Sequence, residues 1–202
     1  YKRQDKRNNS LGASLVTLDD IDSDGVPEFA AGATDRGLGD DRFGYVVIFG
    51  GKDGKEFRRF TGTHDHGLFG SRLAVIEDQD ADGFRDLAVV DGTSSVYIFS
   101  VGTGERLLGF DVRPLEQRDD ADIPFTSMVG TPDIDADGQP DLLYGAEPFA
   151  PGTDPFAPVI GRVSLRSLGK GGATIWTRHG TETAVLGRGV LDLGDCLLYT
   201  SP

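Results

Sequence analysis

Twelve acidic residues follow a single spacing, Asp-x-Asp-x-Asp-Gly-x-x-Asp/Glu. They are Asp20, Asp22, Asp24 and Glu28; Asp78, Asp80, Asp82 and Asp86; and Asp133, Asp135, Asp137 and Asp141. The three starts lie 58 and 55 residues apart. Carboxylates at positions 1, 3 and 5 of a tight loop can converge on one point. A hard cation such as Ca²⁺ wants that arrangement, because it takes about six to eight oxygens at roughly 2.3–2.6 Å in a flexible shell. Position 6 is glycine each time (Gly25, Gly83, Gly138), which lets the chain turn through positive φ without a Cβ clash. Position 7 varies (Val26, Phe84, Gln139), as expected where only its backbone carbonyl is a ligand. Position 9 is acidic again. The expected chemistry is three structural Ca²⁺ sites.

An EF-hand would need a bidentate Glu at position 12 and flanking helices. Position 12 here is Ala31, Val89 and Tyr144, and the loops lead into short apolar runs that read as strands. A single acidic turn could be no more than a solvated surface feature. Three copies in register argue against that for this chain. Charge agrees. The chain has 33 acids and 20 bases, net −13, and outside the twelve loop acids only 21 acids face the 20 bases. Carboxylates gathered without a metal repel one another, so ion binding is expected to couple to folding.

The elements around the loops repeat with them. A strand precedes each loop: Leu11 to Val16, Phe69 to Ala74 and Phe125 to Val129. An apolar run follows each, and then two more strand-like runs. These are 44–49 and 56–60, 95–99 and 105–110, and 161–165 and 173–176, joined by Gly-containing turns. Four strands per unit make a propeller blade, and 29 glycines suit an all-β chain.

Phe69-Gly70, the acidic loops and the small segments Ala31-Gly32-Ala33 and Gly145-Ala146-Glu147-Pro148 resemble the FG-GAP repeat family, the β-propeller of integrin α-subunits and many bacterial surface proteins. The resemblance implies a partial β-propeller of about three four-stranded antiparallel blades, with boundaries near 11–60, 69–110 and 125–178 and the start of another blade at 186–195. It departs from the family pattern at Leu11-Gly12, Phe125-Thr126, Val90-Asp91-Gly92 and Glu28. Residues 1–195 read as propeller. Cys196 to Pro202 is similar to the translation of a transposon adapter used in sequencing libraries and is set apart as a non-native tail. That leaves no cysteine in the propeller and no disulfide. With Tyr1 first and Met128 the only methionine, the chain reads as part of a longer protein whose signal peptide, if it has one, lies upstream.

The loops joining strands 1–2 and 3–4 of a blade share one side of the disc. By the resemblance, a protein or glycan ligand is expected on the other side, formed by 33–43, 61–68, 91–94, 111–124 and 146–160. The implied function is a calcium-stabilised, non-enzymatic adhesion module, extracellular or at the cell surface. The alternative is the propeller portion of a secreted hydrolase or lyase whose catalytic part lies outside this chain. Thr63-His64-Asp65-His66 is the one cluster that hints at catalysis, and it reads better as a solvated loop; His179 is expected in an equivalent connection. The chain carries no Gly-x-Ser-x-Gly, phosphate loop or His-Glu-x-x-His. No apolar run approaches the roughly 18 residues of a membrane span, and the negative charge argues against nucleic acid.

Overall fold

The computed structural model describes residues 9–35, 43–63, 68–92, 94–112, 125–146, 161–181 and 186–192. These form twelve strands and, among the described residues, no helix. The first four are β1 (Asn9–Thr17), β2 (Phe29–Asp35), β3 (Tyr45–Phe49) and β4 (Glu56–Thr61). The next four are β5 (Leu73–Ile76), β6 (Asp86–Asp91), β7 (Ser95–Phe99) and β8 (Arg106–Asp111). The last four are β9 (Phe125–Thr131), β10 (Asp141–Ala146), β11 (Arg162–Ser167) and β12 (Ala173–His179). Each set of four is one antiparallel sheet in sequence order. The chain is therefore all-β, three blades of a propeller that does not close on itself. Among the described residues, no helix is long and apolar enough to cross a membrane.

The blades stack face to face. Between the first and second lie Leu18, Ala30, Val46, Ile48 and Phe60 against Phe69, Leu73, Leu87, Val89 and Val101. Between the second and third lie Ala74, Ile76, Ala88, Val90, Val96 and Ile98 against Phe125, Leu142, Tyr144 and Leu168. Alternation along β6 sends Leu87 and Val89 to one interface and Ala88 and Val90 to the other. A sheet covered on both faces buries all of that strand, and β6 is buried from end to end. The outermost strands β4, β8 and β12 stay largely exposed. Phe99 ties the first interface together, 4.5 Å from Phe60 and 6.0 Å from Phe69 between ring centroids.

One contact recurs at each junction. Ser14 of β1 pairs opposite Gly32, and its hydroxyl donates to the Gly70 carbonyl of the next blade at 2.6 Å. Ser127 of β9 pairs opposite Gly145 and donates to the Gly187 carbonyl at 3.0 Å. A Cβ on Gly32 would overlap the Gly70 carbonyl, and one on Gly145 the Gly187 carbonyl. The middle junction has neither glycine. Val90 and Thr126 stand there, and the longer Arg72 replaces serine, its Nε donating to the Thr126 carbonyl at 2.9 Å. Two departures from the family pattern thus fall on opposite sides of one junction.

Two sequence expectations need correction. The strand before the second loop begins at Leu73, not at Phe69, which makes only a single parallel bridge with Gly44. His179 does not lie in a blade connection. It is the exposed last residue of β12, opposite Arg162.

Candidate metal centres

Each acidic loop joins the first two strands of its blade: 18–28 between β1 and β2, 77–85 between β5 and β6, and 132–140 between β9 and β10. Two residues per loop have left-handed backbone. One is the expected glycine at position 6 (φ 89° at Gly25, 93° at Gly83, 90° at Gly138). The other, at position 4, is not glycine: Ser23 (φ 60°), Ala81 (60°) and Ala136 (58°). L-residues pay about 1–2 kcal/mol for that conformation. The signal was present in the sequence as a small residue at position 4 in all three copies.

The position-1 carboxylates hold this turn by accepting backbone amides. Asp20 accepts from Asp24 at 3.0 Å and Gly25 at 2.9 Å. Asp78 accepts from Ala81 at 2.7 Å and Gly83 at 2.8 Å. Asp133 accepts from Asp137 at 3.1 Å and Gly138 at 2.8 Å. The result is three sets of carboxylates at positions 1, 3 and 9: Asp20, Asp22 and Glu28; Asp78, Asp80 and Asp86; Asp133, Asp135 and Asp141. In each set, one oxygen per residue lies within 4.8 Å of the others. These sets could hold cations.

The position-9 acids are the most informative. Glu28, Asp86 and Asp141 are all fully buried at 0% exposure. One oxygen of each accepts the amide at position 2, from Ile21, from Gln79 at 2.8 Å and from Ile134 at 2.8 Å. The other oxygen (Glu28 Oε1, Asp86 Oδ1, Asp141 Oδ1) is buried with no hydrogen-bond partner, as is Asp135 Oδ1. A buried carboxylate oxygen left unpaired is costly. Repeated three times beside two other acids, it suits a cation site. Burial, with the nearby charges of Asp80, Asp78 and Asp82, pushes Asp86 up to about 7. Burial, with Asp135, Asp133 and Asp137, raises Asp141 as well. Asp78 is partly desolvated too, but the amides of Gly83, Ala81 and Asp82 hold it below the usual range.

The position-5 acids fall outside these sets. Asp24 Oδ1 accepts the Val26 amide at 2.9 Å, Asp82 Oδ1 that of Phe84 at 2.9 Å, and Asp137 Oδ1 that of Gln139 at 3.0 Å. Their second oxygens face the turn joining the last two strands of the blade. Ser100 donates to Asp82 Oδ2 at 2.9 Å and Ser167 to Asp137 Oδ2 at 2.7 Å, while Lys52 Nζ lies 3.8 Å from Asp24 Oδ2. The Ser167 hydroxyl is the main reason Asp137 titrates low. The two kinds of loop therefore meet on one side of the blades.

Sequence reading missed these serines, and it missed Lys170, whose Nζ sits 2.7 Å from Asp135 Oδ2 and 3.7 Å from Asp137 Oδ2. It also missed a clamp between loops. Arg85, at position 8 of the second loop, donates Nε and Nη2 to Asp19 Oδ1 at 2.9 and 2.7 Å, and its amide to Oδ2 at 2.8 Å. That guanidinium lowers the Asp19 pKa. The cluster at His64, Asp65 and His66 lies outside the described residues. So do 36–42, 93, 113–124 and 147–160 of the expected ligand side, 193–195 of the expected next blade, and the tail Cys196 to Pro202.

No protein-family model matches the chain. It is 32% identical over 156 residues to integrin alpha-IIb of Mus musculus, covering 65% of this chain and 14% of that protein. It is 31% identical over 150 residues to integrin alpha-7 of Homo sapiens, covering 68% and 12%. Against integrin alpha-IIb of Homo sapiens it is 37% identical over 99 residues, covering 43% and 9%. The matched region thus spans between 9% and 14% of the length of these relatives. With three four-stranded blades, each carrying an acidic loop between its first two strands, the chain is an integrin-alpha-like FG-GAP repeat region.

Proposed function

We propose that the chain is part of a calcium-stabilised, non-enzymatic β-propeller adhesion module that works outside the cell or at its surface. The unpaired buried oxygen on Glu28, Asp86 and Asp141 carries this reading. Bound calcium supplies the positive charge that three neighbouring carboxylates lack. Asp20, Asp22 and Glu28 would hold one ion, Asp78, Asp80 and Asp86 a second, and Asp133, Asp135 and Asp141 a third. The carboxylates of Asp24, Asp82 and Asp137 and the carbonyls of Val26, Phe84 and Gln139 would complete the shells. An all-oxygen, irregular donor set suits calcium better than magnesium, which demands near-octahedral geometry and keeps its waters.

In this reading the ions brace the hairpin that starts each blade, and recognition belongs to the other side. A protein or glycan ligand there would meet the connections 33–43, 61–68, 91–94, 111–124 and 146–160. The names of the matched relatives, all integrin alpha subunits, support adhesion over catalysis. Equilibrium dialysis against calcium tests the cation part. About three ions should bind per chain, and Asp86→Asn should remove one. Uptake of no calcium by the folded chain would refute the reading.

A further inference from the structure

We propose that Lys170 is a tethered counter-ion for the third acidic loop, so that this loop loads a divalent cation last and the second loop, which has no such lysine, loads first. The proposal rests on the cation reading above and ranks its sites.

The second and third blades build the same relay over the position-5 acid. Ser100 Oγ donates to Asp82 and accepts the Thr103 amide at 3.0 Å. Ser167 Oγ donates to Asp137 and accepts the Lys170 amide at 3.2 Å. Thr103 and Lys170 therefore occupy equivalent places above equivalent loops. Thr103 is uncharged. Lys170 bends its ammonium to 2.7 Å from Asp135 Oδ2, and Asp135 belongs to the third carboxylate set. Among the described residues, no ammonium or guanidinium pairs with Asp78, Asp80, Asp82 or Asp86. The first loop is intermediate. Gly50 replaces the serine, and Lys52 approaches only Asp24, which lies outside the first set.

An arriving divalent cation must either displace the Lys170 ammonium or sit beside it. Two unit charges about 4 Å apart interact by roughly 1 kcal/mol even in bulk water, and a divalent ion doubles that, so a penalty of about tenfold or more in affinity follows. The lysine side chain is half exposed in a turn, so the fold does not depend on it.

Two loop glycines report the sites separately. Gly83 and Gly138 each donate an amide to the position-1 acid of their own loop at 2.8 Å. Calcium titration of the full chain, followed by the NMR shifts of these two amides, should show Gly83 responding at lower calcium than Gly138. Lys170→Thr should tighten the Gly138 response by about tenfold and leave Gly83 unchanged. Thr103→Lys should weaken the Gly83 response by a similar factor. Lys170→Gln serves as a second variant with the same expected outcome. If both amides titrate but neither Lys170 variant moves the Gly138 midpoint by more than about twofold, the counter-ion role is wrong and the cation reading stands. If neither amide responds to calcium in the native chain or in Lys170→Thr, both fail.

Discussion

Asp86 holds the Gln79 amide with one carboxylate oxygen and has no protein partner for the other. Burial raises it from the ordinary 3.8 to about 7. A folded-state pKa above the unfolded value means that the metal-free native chain keeps a proton the unfolded chain has already released. The stability from this residue is fully present below about pH 4 and is lost as pH rises through about 7. Metal-free chain should therefore become less stable between those values, while calcium affinity at the second loop rises over the same window, because ion and proton compete. Asp86→Asn should flatten the stability profile and weaken calcium binding at that loop by more than about 100-fold. Chemical denaturation across pH, with and without chelator, checks both signs. Ala81 makes a separate point. Its φ of 60° is tolerable for a small side chain, whereas a β-branched one there is strained, so Ala81→Val should cost about 1–3 kcal/mol in urea unfolding.

At the scale of elements, the acidic loops were legible because their carboxylates are close in sequence and repeat with one spacing. The strand set was legible too, since apolar runs and glycine turns recur with the loops. The junctions between blades were not, because they depend on which residues face each other across 50 or more positions, as in Ser14 to Gly70 at a separation of 56. Lys170 escaped for a related reason. Counting from the loop starts does not align turns of different length, and only the shared serine relay shows that Thr103 and Lys170 are equivalent. Strand ends moved where a local rule met the packing. Phe69 has strand propensity, but Gly70 at φ 79° breaks the run before Leu73. The junction glycines give a contrast that can be measured. Gly145→Ala places a Cβ on the Gly187 carbonyl and should destabilise by about 1–3 kcal/mol. Val90→Ala, at the junction that already accommodates a side chain, should cost only what truncating a buried valine costs, about 1–2 kcal/mol. At equal m-values, a urea midpoint for Gly145→Ala below that of the native chain supports the steric explanation, and an unchanged midpoint contradicts it.

For the whole molecule, stability passes from neighbour to neighbour, as in other repeat architectures. The second blade is covered on both faces and is the most completely buried. The first blade shows what an uncovered face looks like. Leu15 of β1 is 65% exposed, while Leu73, at the same place in the second blade and covered by the first, is 7% exposed. The three loops lie on one side of this stack, each pinning the first hairpin of its blade, and Arg85 links the first two across the junction. That ion pair is exposed and is worth about 1 kcal/mol at most, so loading of the loops should dominate. The most direct measurement is a thermal melt of the chain in chelator, in magnesium and in millimolar calcium. Calcium should raise the midpoint by about 5–10 °C, with magnesium doing far less and Asp86→Asn losing part of the gain. A cooperative melt with the same midpoint in all three solutions would mean that the loops are acidic turns and that the blades stand without ions.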